Sequence, residues 1–312
     1  MSEKVRPFLE STREKPSLGD SGDFDAYLAH FDPAAIATEI GPQAGMDVAG
    51  VRELVDTYVN EAKLGFDLVV RHLPKDARTI LEVGAGLRLV SSYLASRGFA
   101  VTALEPVGGG FEIFDKAGEA CWARMPSPKP ERIDASVETL SAERHGTFDF
   151  IFSVHVLEHV PSVARAMAAM VRVMAPGGSM AHICPNYATP FDPHFGIPLV
   201  PFAPRKTQYL FARRIARAPE LWNSVNFITA AQVRTLAASE GLSARFEPGM
   251  VARFLRRLDD DPVFRRRYEG SAILAVYKVL RRIGVLDLIG SIPPRIASPM
   301  EFSLRRTAGR GP

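Results

Sequence analysis

Short apolar runs alternate with helical stretches through the middle of the chain, and this alternation restricts the fold more than any other feature. Strand-like runs occupy residues 79–83, 100–105, 148–153 and 179–184, and residues 87–97 and 162–174 between them have helical spacing. Strands that are apolar throughout must be covered on both faces. The pattern therefore predicts an α/β fold with a parallel sheet between two layers of helices, and ligands at the carboxyl ends of the strands.

The flanking segments extend this unit. An amphipathic helix is expected from Val51 to about His72. A capping box at Thr229 and Gln232 starts a late helix that ends near Gly241, and residues 243–247 and 300–304 are the remaining strand candidates. We divide the chain into seven parts. They are a flexible lead-in (1–24), a helical N-terminal segment (25–78), a core (79–185), a lid insertion (186–225), a core continuation (226–249), a basic helical insertion (250–298) and a last strand with tail (299–312).

Composition excludes several classes of protein. With 46% hydrophobic and 23% charged residues, the chain is globular in type. Its two cysteines cannot form a disulfide scaffold, and its polar start lacks the apolar region of a secretory signal, so we expect a cytoplasmic protein. The most apolar late stretch, residues 271–290, contains four charged residues, so no transmembrane span is expected. No feature specifies an oligomeric state.

The strongest local signal is the sequence Glu82-Val83-Gly84-Ala85-Gly86, in which a buried strand turns into a helix. Glycine lets backbone amides approach a ligand closely, although a tight strand-to-helix turn alone would also explain it. A dinucleotide fingerprint needs a third glycine where Leu89 stands, which argues against nicotinamide binding. Glu105 ends the second strand, where a carboxylate can accept both ribose hydroxyls.

Four segments, in order and at matching spacing, resemble the Rossmann-like S-adenosylmethionine-dependent methyltransferases related to ubiquinone-biosynthesis methylases. They are Leu81-Glu82-Val83-Gly84-Ala85-Gly86, Ala103-Leu104-Glu105-Pro106, the run from Phe148 through Ser153 to Val160, and Met174-Ala175-Pro176-Gly177-Gly178. The resemblance covers residues 79–185 and 226–247. It implies a mostly parallel sheet with an antiparallel last strand, a helical N-terminal segment and two cap insertions.

The resemblance also implies which residues bind the cofactor, S-adenosylmethionine. Glu82 with Gly84, Ala85 and Gly86 would hold its amino-acid end, and Glu105 with Pro106 its ribose. Asp134 and Ala135 resemble the segment that contacts adenine, and Ser153 ends the matched fourth strand. Asp134 has an alternative role as a helix cap. The family's third glycine is replaced by Arg88, which would turn outward or reach the cofactor carboxylate.

Methyl transfer needs alignment and, for a hydroxyl acceptor, a base, so we looked for candidates after the fourth and fifth strands. His155 would line the methyl site, whereas His159 more simply caps or packs. The stiff, proline-rich stretch 185–198 favours neither helix nor strand and is predicted to be an acceptor lid, with His194 as base. Predicted substrate-binding residues are Asn186, Tyr187, Phe191 and Phe195. Asp192 and His194 could be metal ligands, but no third acid is apparent and we predict no metal.

Positive charge is concentrated in the two insertions. Residues 205–219 and 250–282 each sum to +5, leaving −7 for the rest of a chain whose total is +3. Solvated helix faces explain this most simply, while an anionic acceptor such as a phosphate-linked sugar or lipid, with weak peripheral membrane contact, is the sharper alternative. Regular aromatic interleaving is missing, so we expect no nucleic acid. The sequence predicts a methyltransferase acting on a small molecule, with a non-catalytic donor-binding scaffold as the alternative.

Overall fold

A computed structural model describes residues 16–44, 47–106, 112–266, 269, 272–285 and 292–307. Its centre is a seven-stranded sheet in the order β3-β2-β1-β4-β5-β9-β8. The bounds of these strands are Thr79–Val83 (β1), Ala100–Leu104 (β2), Glu131–Ile133 (β3), Phe148–Val154 (β4), Met174–Cys184 (β5), Leu242–Phe246 (β8) and Met300–Arg306 (β9). A separate hairpin pairs Phe191–Asp192 (β6) with Ile197–Pro198 (β7).

Strand pairing confirms the predicted mostly parallel sheet with an antiparallel last strand. β1 is paired in parallel with β2 and β4, as are β2 with β3 and β4 with β5. β9 runs antiparallel to both of its neighbours, β5 and β8. The carboxyl ends of β1, β2 and β4 therefore meet at one edge, where the sequence predicts ligand binding.

Fourteen helices are present in the described part of the chain. They are Ser21–Leu28 (α1), Pro33–Ala44 (α2), Val48–His72 (α3), Leu89–Ser96 (α4), Glu112–Arg124 (α5), Ala142–His145 (α6), Val163–Val173 (α7), Thr207–Leu210 (α8), Ala212–Ile215 (α9), Pro219–Ser224 (α10), Ala230–Ser239 (α11), Met250–Asp260 (α12), Pro262–Arg266 (α13) and Ala272–Arg282 (α14). Side-chain caps begin three of the longer ones: Asp47 accepts from the Gly50 amide at 2.7 Å, Ser162 from Arg165 at 3.3 Å and Thr229 from Gln232 at 3.2 Å.

The apolar side chains form one layer on each face of the sheet. Residues of α1 to α5 pack on one face around the rings of Phe24, Phe66 and Tyr93, with Phe24 and Phe66 centroids 4.4 Å apart. Residues of α7, α11 and the lid insertion cover the other face, where Trp222 is almost fully buried. Burial of this kind, on both faces, explains why the strands are apolar at nearly every position.

A buried carboxylate on β9 connects this strand to the helices α3 and α12. Glu301, at the start of β9, is fully buried and accepts 2.9 Å hydrogen bonds from Nε and Nη2 of Arg71, at the end of α3. Nε2 of His72 lies 2.7 Å from the same carboxylate, and Nη1 of Arg253 on α12 lies 3.3 Å from it. We call these four side chains the Glu301 clamp; it fixes α12 over α3 and β9.

Three details differ from the sequence expectations. The proline-rich stretch 185–198, expected to be neither helix nor strand, contains the β6–β7 hairpin. Helix α1 begins at Ser21, inside the expected lead-in, because Asp20 caps it and Phe24 is buried in the core; residues 1–15 of the lead-in lie outside the described residues. β5 begins at Met174, five residues early, since the turn at Pro176 and Gly177 is an irregularity within the strand. None of the described helices combines the length and apolar character needed to cross a membrane.

Candidate active site

A cavity of about 1630 Å³ opens at the carboxyl ends of β1, β2 and β4. The turn after β1 lines this cavity, and α3 and α12 contribute further parts of its wall, including Tyr58 and Phe254. A single small-molecule pocket typically encloses about 300–1,000 Å³. The cavity is therefore large enough for two molecules side by side, as a group-transfer reaction requires.

The turn after β1 needs glycine for two separate reasons. Gly84 has φ of 72° and Gly86 has φ of 49°, both in the left-handed region. A Cβ added to Gly84 would lie 2.2 Å from Cγ2 of Val156, and one on Gly86 would lie 3.0 Å from Cε1 of Tyr58. With Ala85 between them, these residues line the cavity with backbone rather than side chains.

Glu82, the last but one residue of β1, is a buried carboxylate held from one side. The Ser91 amide donates to its Oε2 at 3.0 Å, and the Ser91 hydroxyl donates to the same oxygen. Burial raises the pKa of Glu82 to about 8, against the effect of both Ser91 hydrogen bonds. Because of this raised pKa, the carboxyl favours its protonated form at neutral pH. Its side chain lines the cavity, where a bound cation would favour the ionised form.

Glu105 stands across the turn from Glu82, directly after β2. Its Oε2 accepts a 2.8 Å hydrogen bond from the Gly86 amide, which ties the acid to the glycine turn. Burial raises the pKa of Glu105, although the Gly86 amide and Arg88 oppose this. Glu105 and Pro106 both line the cavity. The two acids predicted to share a pocket therefore do so.

The other predicted cofactor residues divide into two groups. Ala135 lines the cavity beside the turn. Asp134 does not, since its half-exposed carboxylate lies 3.8 Å from Arg132, and it does not cap the short 3-10 helix at Val137–Thr139 either. Ser153 is also absent from the cavity wall: it is buried in β4, with its hydroxyl 2.8 Å from Nδ1 of His182. Asp134 and Ser153 are corrections to the predicted donor site.

Arg88 does not turn outward. Its side chain is 3% exposed, and its backbone has a φ of 61° where the glycine motif has its third glycine. Arg88 lines the cavity together with Gly86, Glu82 and Glu105. Arg88 does stand at the start of a helix, directly before α4, but the expectation that it turns outward is wrong.

His155 follows β4 with a φ of 56° and lies between two carboxylates. Its Nε2 is 3.5 Å from Oε2 of Glu61, and its Nδ1 is 3.5 Å from Oε1 of Glu158. Although burial acts to lower it, these carboxylates raise the pKa of His155 to about 10. His155 lines the cavity as predicted, but as an imidazolium it has no free lone pair at neutral pH, which argues against it as a base.

His194 is oriented by a buried acid. Its Nδ1 lies 3.6 Å from Oδ2 of Asp192, which also accepts from the Tyr187 hydroxyl at 3.2 Å, while Oδ1 accepts from the Phe195 amide at 2.8 Å. Burial acts to raise the pKa of Asp192, but the hydrogen bond and charge of His194 hold it below its usual value. An acid that stays ionised at Nδ1 leaves Nε2 for other contacts, and His194 lines the cavity.

His159 completes a group of three side chains. Its Nδ1 is 2.9 Å from the Ser224 hydroxyl, and its ring centre is 5.0 Å from that of His194. Burial lowers the pKa of His159. One ligand atom from each of Glu158, His159 and His194 lies within 4.8 Å of the others, a grouping that could hold a metal ion. The sequence suggested Asp192 and His194 as possible metal ligands without a third acidic ligand. In the structure the acid that lies near His194 and His159 is Glu158, and Asp192 is not part of this group.

The predicted substrate residues are placed in two environments. Phe191 lines the cavity. Asn186 does not, because its buried amide is fully used: Nδ2 donates to the Arg295 and Ala297 carbonyls, both at 3.0 Å. Tyr187 and Phe195 are packed in the core, against Phe227 and Trp222 respectively. Asn186, Tyr187 and Phe195 are therefore corrections to the predicted acceptor site.

Sequence reasoning missed the wall contributed by distant helices. Glu61 on α3 pairs with His155, and Val251, Phe254 and Leu255 on α12 face the cavity. Glu61 carried a signal, since an acid interrupts an otherwise apolar helix face four residues before Gly65. For α12, the sequence analysis noted only the basic residues and not the apolar face toward the cavity. One of these basic residues, Arg253, belongs to the Glu301 clamp.

Comparison with known proteins gives the family. Residues 57–243 match the model of the methyltransferase domain family. An uncharacterized protein of Mycobacterium tuberculosis is 32% identical over 73% of this chain and 78% of its own length. A ubiquinone biosynthesis O-methyltransferase of Albidiferax ferrireducens is 30% identical over 35% of this chain and 42% of its length.

A solved structure of an S-adenosylmethionine dependent methyltransferase from Mesorhizobium loti is 16% identical over 77% of this chain and 97% of that one, with a TM-score of 0.47, a similarity too low to bear on the site. The family match covers more than half of the chain, and its sheet order and glycine turn are those expected of the Rossmann-like class. The chain belongs to the methyltransferase domain family, as a Rossmann-like S-adenosylmethionine-dependent methyltransferase.

Proposed function

We propose that this protein transfers a methyl group from S-adenosylmethionine to a hydroxyl oxygen of a small-molecule acceptor, with His194 as the base. The observation that supports this most is one cavity that contains Glu82, Glu105 and the bare glycine turn together with the Asp192-oriented His194. A donor site and a proton acceptor on the same cavity are what hydroxyl methylation requires.

The residues of the turn fit the donor. Glu82 is a buried acid that a cationic amino group would restore to its ionised form, and Oε1 of Glu105 is left for ribose hydroxyls while Oε2 holds the Gly86 amide. Because Gly84 and Gly86 carry no Cβ, Val156 and Tyr58 can pack directly against the turn, whose backbone lines the cavity. When bound, the donor supplies a methyl carbon on a positively charged sulfur, ready for in-line displacement.

The acceptor side supplies proton transfer and exclusion of water. As the acceptor oxygen attacks, its proton would pass to Nε2 of His194, while Asp192 stabilises the imidazolium that forms. His159 packs edge-on against His194 and restricts its ring. His155, already a cation between Glu61 and Glu158, offsets one of the two negative charges on that part of the wall.

A second candidate is the same reaction on an acceptor attached to a phosphate-bearing sugar or lipid carrier. It draws support from α14 and the residue after it, where Val276, Val279 and Ile283 are 55–62% exposed beside Lys278. Arg281, in the same helix, is paired with Asp259. Other basic residues are occupied: Arg205 donates to the Trp222 and Val225 carbonyls. The acceptor experiment below distinguishes the two, because a carrier-linked product would partition with lipid.

The test has a binding part and a chemical part. By calorimetry, the wild type should bind S-adenosylhomocysteine, and Glu105→Ala should weaken binding at least about tenfold because a charged hydrogen-bond partner is lost. Incubation with isotopically labelled donor and a cell extract should then label one metabolite on oxygen. A chain that binds S-adenosylhomocysteine but labels no metabolite is a donor-binding scaffold, and one that binds neither donor nor product has another function.

His194→Asn should reduce kcat on that acceptor by about 10²–10⁴-fold, since general base catalysis contributes this much, and leave the dissociation constant of S-adenosylhomocysteine unchanged. Asn keeps the size of the side chain and a donor toward Asp192. His145→Asn, on the surface helix α6, is the matched control. A variant with normal kcat removes His194 as the base, whereas a label on nitrogen removes the hydroxyl acceptor.

A further inference from the structure

Arg88, directly before α4, has an unfavourable backbone conformation for a residue with a side chain. Its φ of 61° lies in the left-handed region, which strains any residue that has a Cβ, and the family motif has glycine there. The side chain is nonetheless only 3% exposed. Strained backbone that persists in a fold is concentrated at functional sites.

The guanidinium is buried without a counterion. Its Nη1 has no hydrogen-bond partner, and no carboxylate of the described residues forms an ion pair with it. Its visible partner is the ring of Trp122, with Cζ 5.9 Å from the centroid. Burial, together with the nearby Arg132, lowers the pKa of Arg88. Buried cations are normally paired, which makes this guanidinium a candidate hydrogen-bond donor to a bound ligand.

Helix α5 leaves room for this side chain. A Cβ on Gly118, within that helix, would lie 2.9 Å from Nη1 of Arg88. Glycine in the middle of a helix is unfavourable compared with alanine, so it is retained here at a cost to helix stability. Arg88 and Gly118 therefore fit each other, and Arg88 is also one of the residues that line the cavity.

The charges around Arg88 indicate which part of the cavity it serves. After burial, the groups that act on it are Arg132, Glu119, Glu105 and Asp134, which follow or flank β2, β3 and α5. This is the Glu105 side of the cavity, opposite the amino-acid end at Glu82 and Ser91. Resting on the proposed function, we propose that the Arg88 guanidinium donates hydrogen bonds to the nucleoside part of the donor, beside Glu105.

Arg88→Gly tests this with two measurements that should move in opposite directions. Binding of S-adenosylhomocysteine and of 5′-methylthioadenosine, which lacks the amino-acid group, should both weaken by the same factor of about 10–100, as for loss of a charged hydrogen bond. The Tm of the donor-free protein should rise by about 2–5 °C, since strain and an unpaired cation are removed. Phe202→Gly is the control, because Phe202 has a φ of 60° and is fully exposed outside the cavity; it should leave both affinities unchanged.

Gly118→Ala gives an independent check. In the wild type it should weaken donor binding by displacing the guanidinium, and in the Arg88→Gly background it should have no further effect. A fall in Tm with Arg88→Gly would make Arg88 merely structural, and a loss limited to S-adenosylhomocysteine would place it on the amino-acid group; either overturns the proposal. A wild type that binds neither probe overturns the proposed function itself, whereas unchanged binding by Arg88→Gly overturns only the role of Arg88.

Discussion

Individual residues around the cavity adopt unusual backbone conformations and charge states. Arg88 and His155 have left-handed backbone with φ of 61° and 56°, and Glu82 is a carboxyl whose pKa burial raises to about 8. Each costs folding free energy, because strain and desolvation oppose the folded state. Their occurrence together on one cavity supports a binding role that offsets this cost.

The raised pKa of Glu82 predicts that donor binding releases a proton. In the donor-free protein its carboxyl is protonated below a pKa of about 8, and the donor's ammonium group favours the ionised form. Donor binding at pH 7 should therefore release close to one proton and should tighten as pH rises toward 8. Calorimetry in two buffers of different ionisation enthalpy measures this release, and Glu82→Gln should abolish it. Equal heats in both buffers for the wild type would contradict the assignment.

Among the elements, α3 connects the most parts of the molecule. It contributes Tyr58 and Glu61 to the cavity and ends in Arg71 and His72, which hold Glu301 on β9. Helix α12 is attached to this end through Arg253. The helix that covers the acceptor side thus depends on a buried carboxylate that is not itself in the cavity.

Glu301→Gln should lower the free energy of unfolding by about 3–5 kcal/mol, the usual effect of removing one partner of a buried charge network. Burial acts to raise the pKa of Glu301, but His72 and Arg71 keep it lowered. Its stabilisation is therefore present above pH 4.5 and lost as pH falls through the lowered folded-state pKa.

Urea unfolding between pH 3 and 7 measures this effect, and the variant should show a weaker dependence on pH over the acid part of the range. Glu39→Gln is the control, because that carboxylate is half-exposed and pairs with Arg124 on the surface; it should cost less than about 1 kcal/mol. A similar cost for both variants would mean that the Glu301 clamp contributes no more than a surface pair.

At the scale of the whole molecule, the acceptor end is assembled from parts that are distant in sequence. Glu158 and His159 follow β4, whereas His194 belongs to the lid insertion and Glu61 to α3. The converging Glu158, His159 and His194 could bind a metal, but Glu158 is already paired with His155, and His194 is oriented by Asp192.

We therefore expect methyl transfer to be unaffected by EDTA. Activity should be the same after exhaustive dialysis against chelator and after addition of Mg²⁺ or Zn²⁺, because His194 acts through a proton rather than as a ligand. Initial rates on the identified acceptor measure this. Stimulation by a divalent cation that is lost in both His159→Asn and His194→Asn would reassign the pair as metal ligands.

The sheet and the donor half of the cavity could be predicted because both depend on local patterns. Strand β1 was predicted at its observed bounds, and Glu82, Gly84, Gly86 and Glu105 are all within a few residues of a strand end. The acceptor half depends on long-range packing. Whether Asn186 faces a ligand or bonds the Arg295 and Ala297 carbonyls is decided by residues more than a hundred positions away, and no local pattern reports it.

The position of β9 between β5 and β8 also sets an order of events during protein synthesis. Among the described strands β8 pairs only with β9, which follows it after the whole of residues 250–298. Until β9 has been synthesised, β8 and the outer edge of β5 have backbone N–H and C=O groups without their strand partner. Glu301 arrives with the same strand, so α12 can be anchored only after β9 has been synthesised.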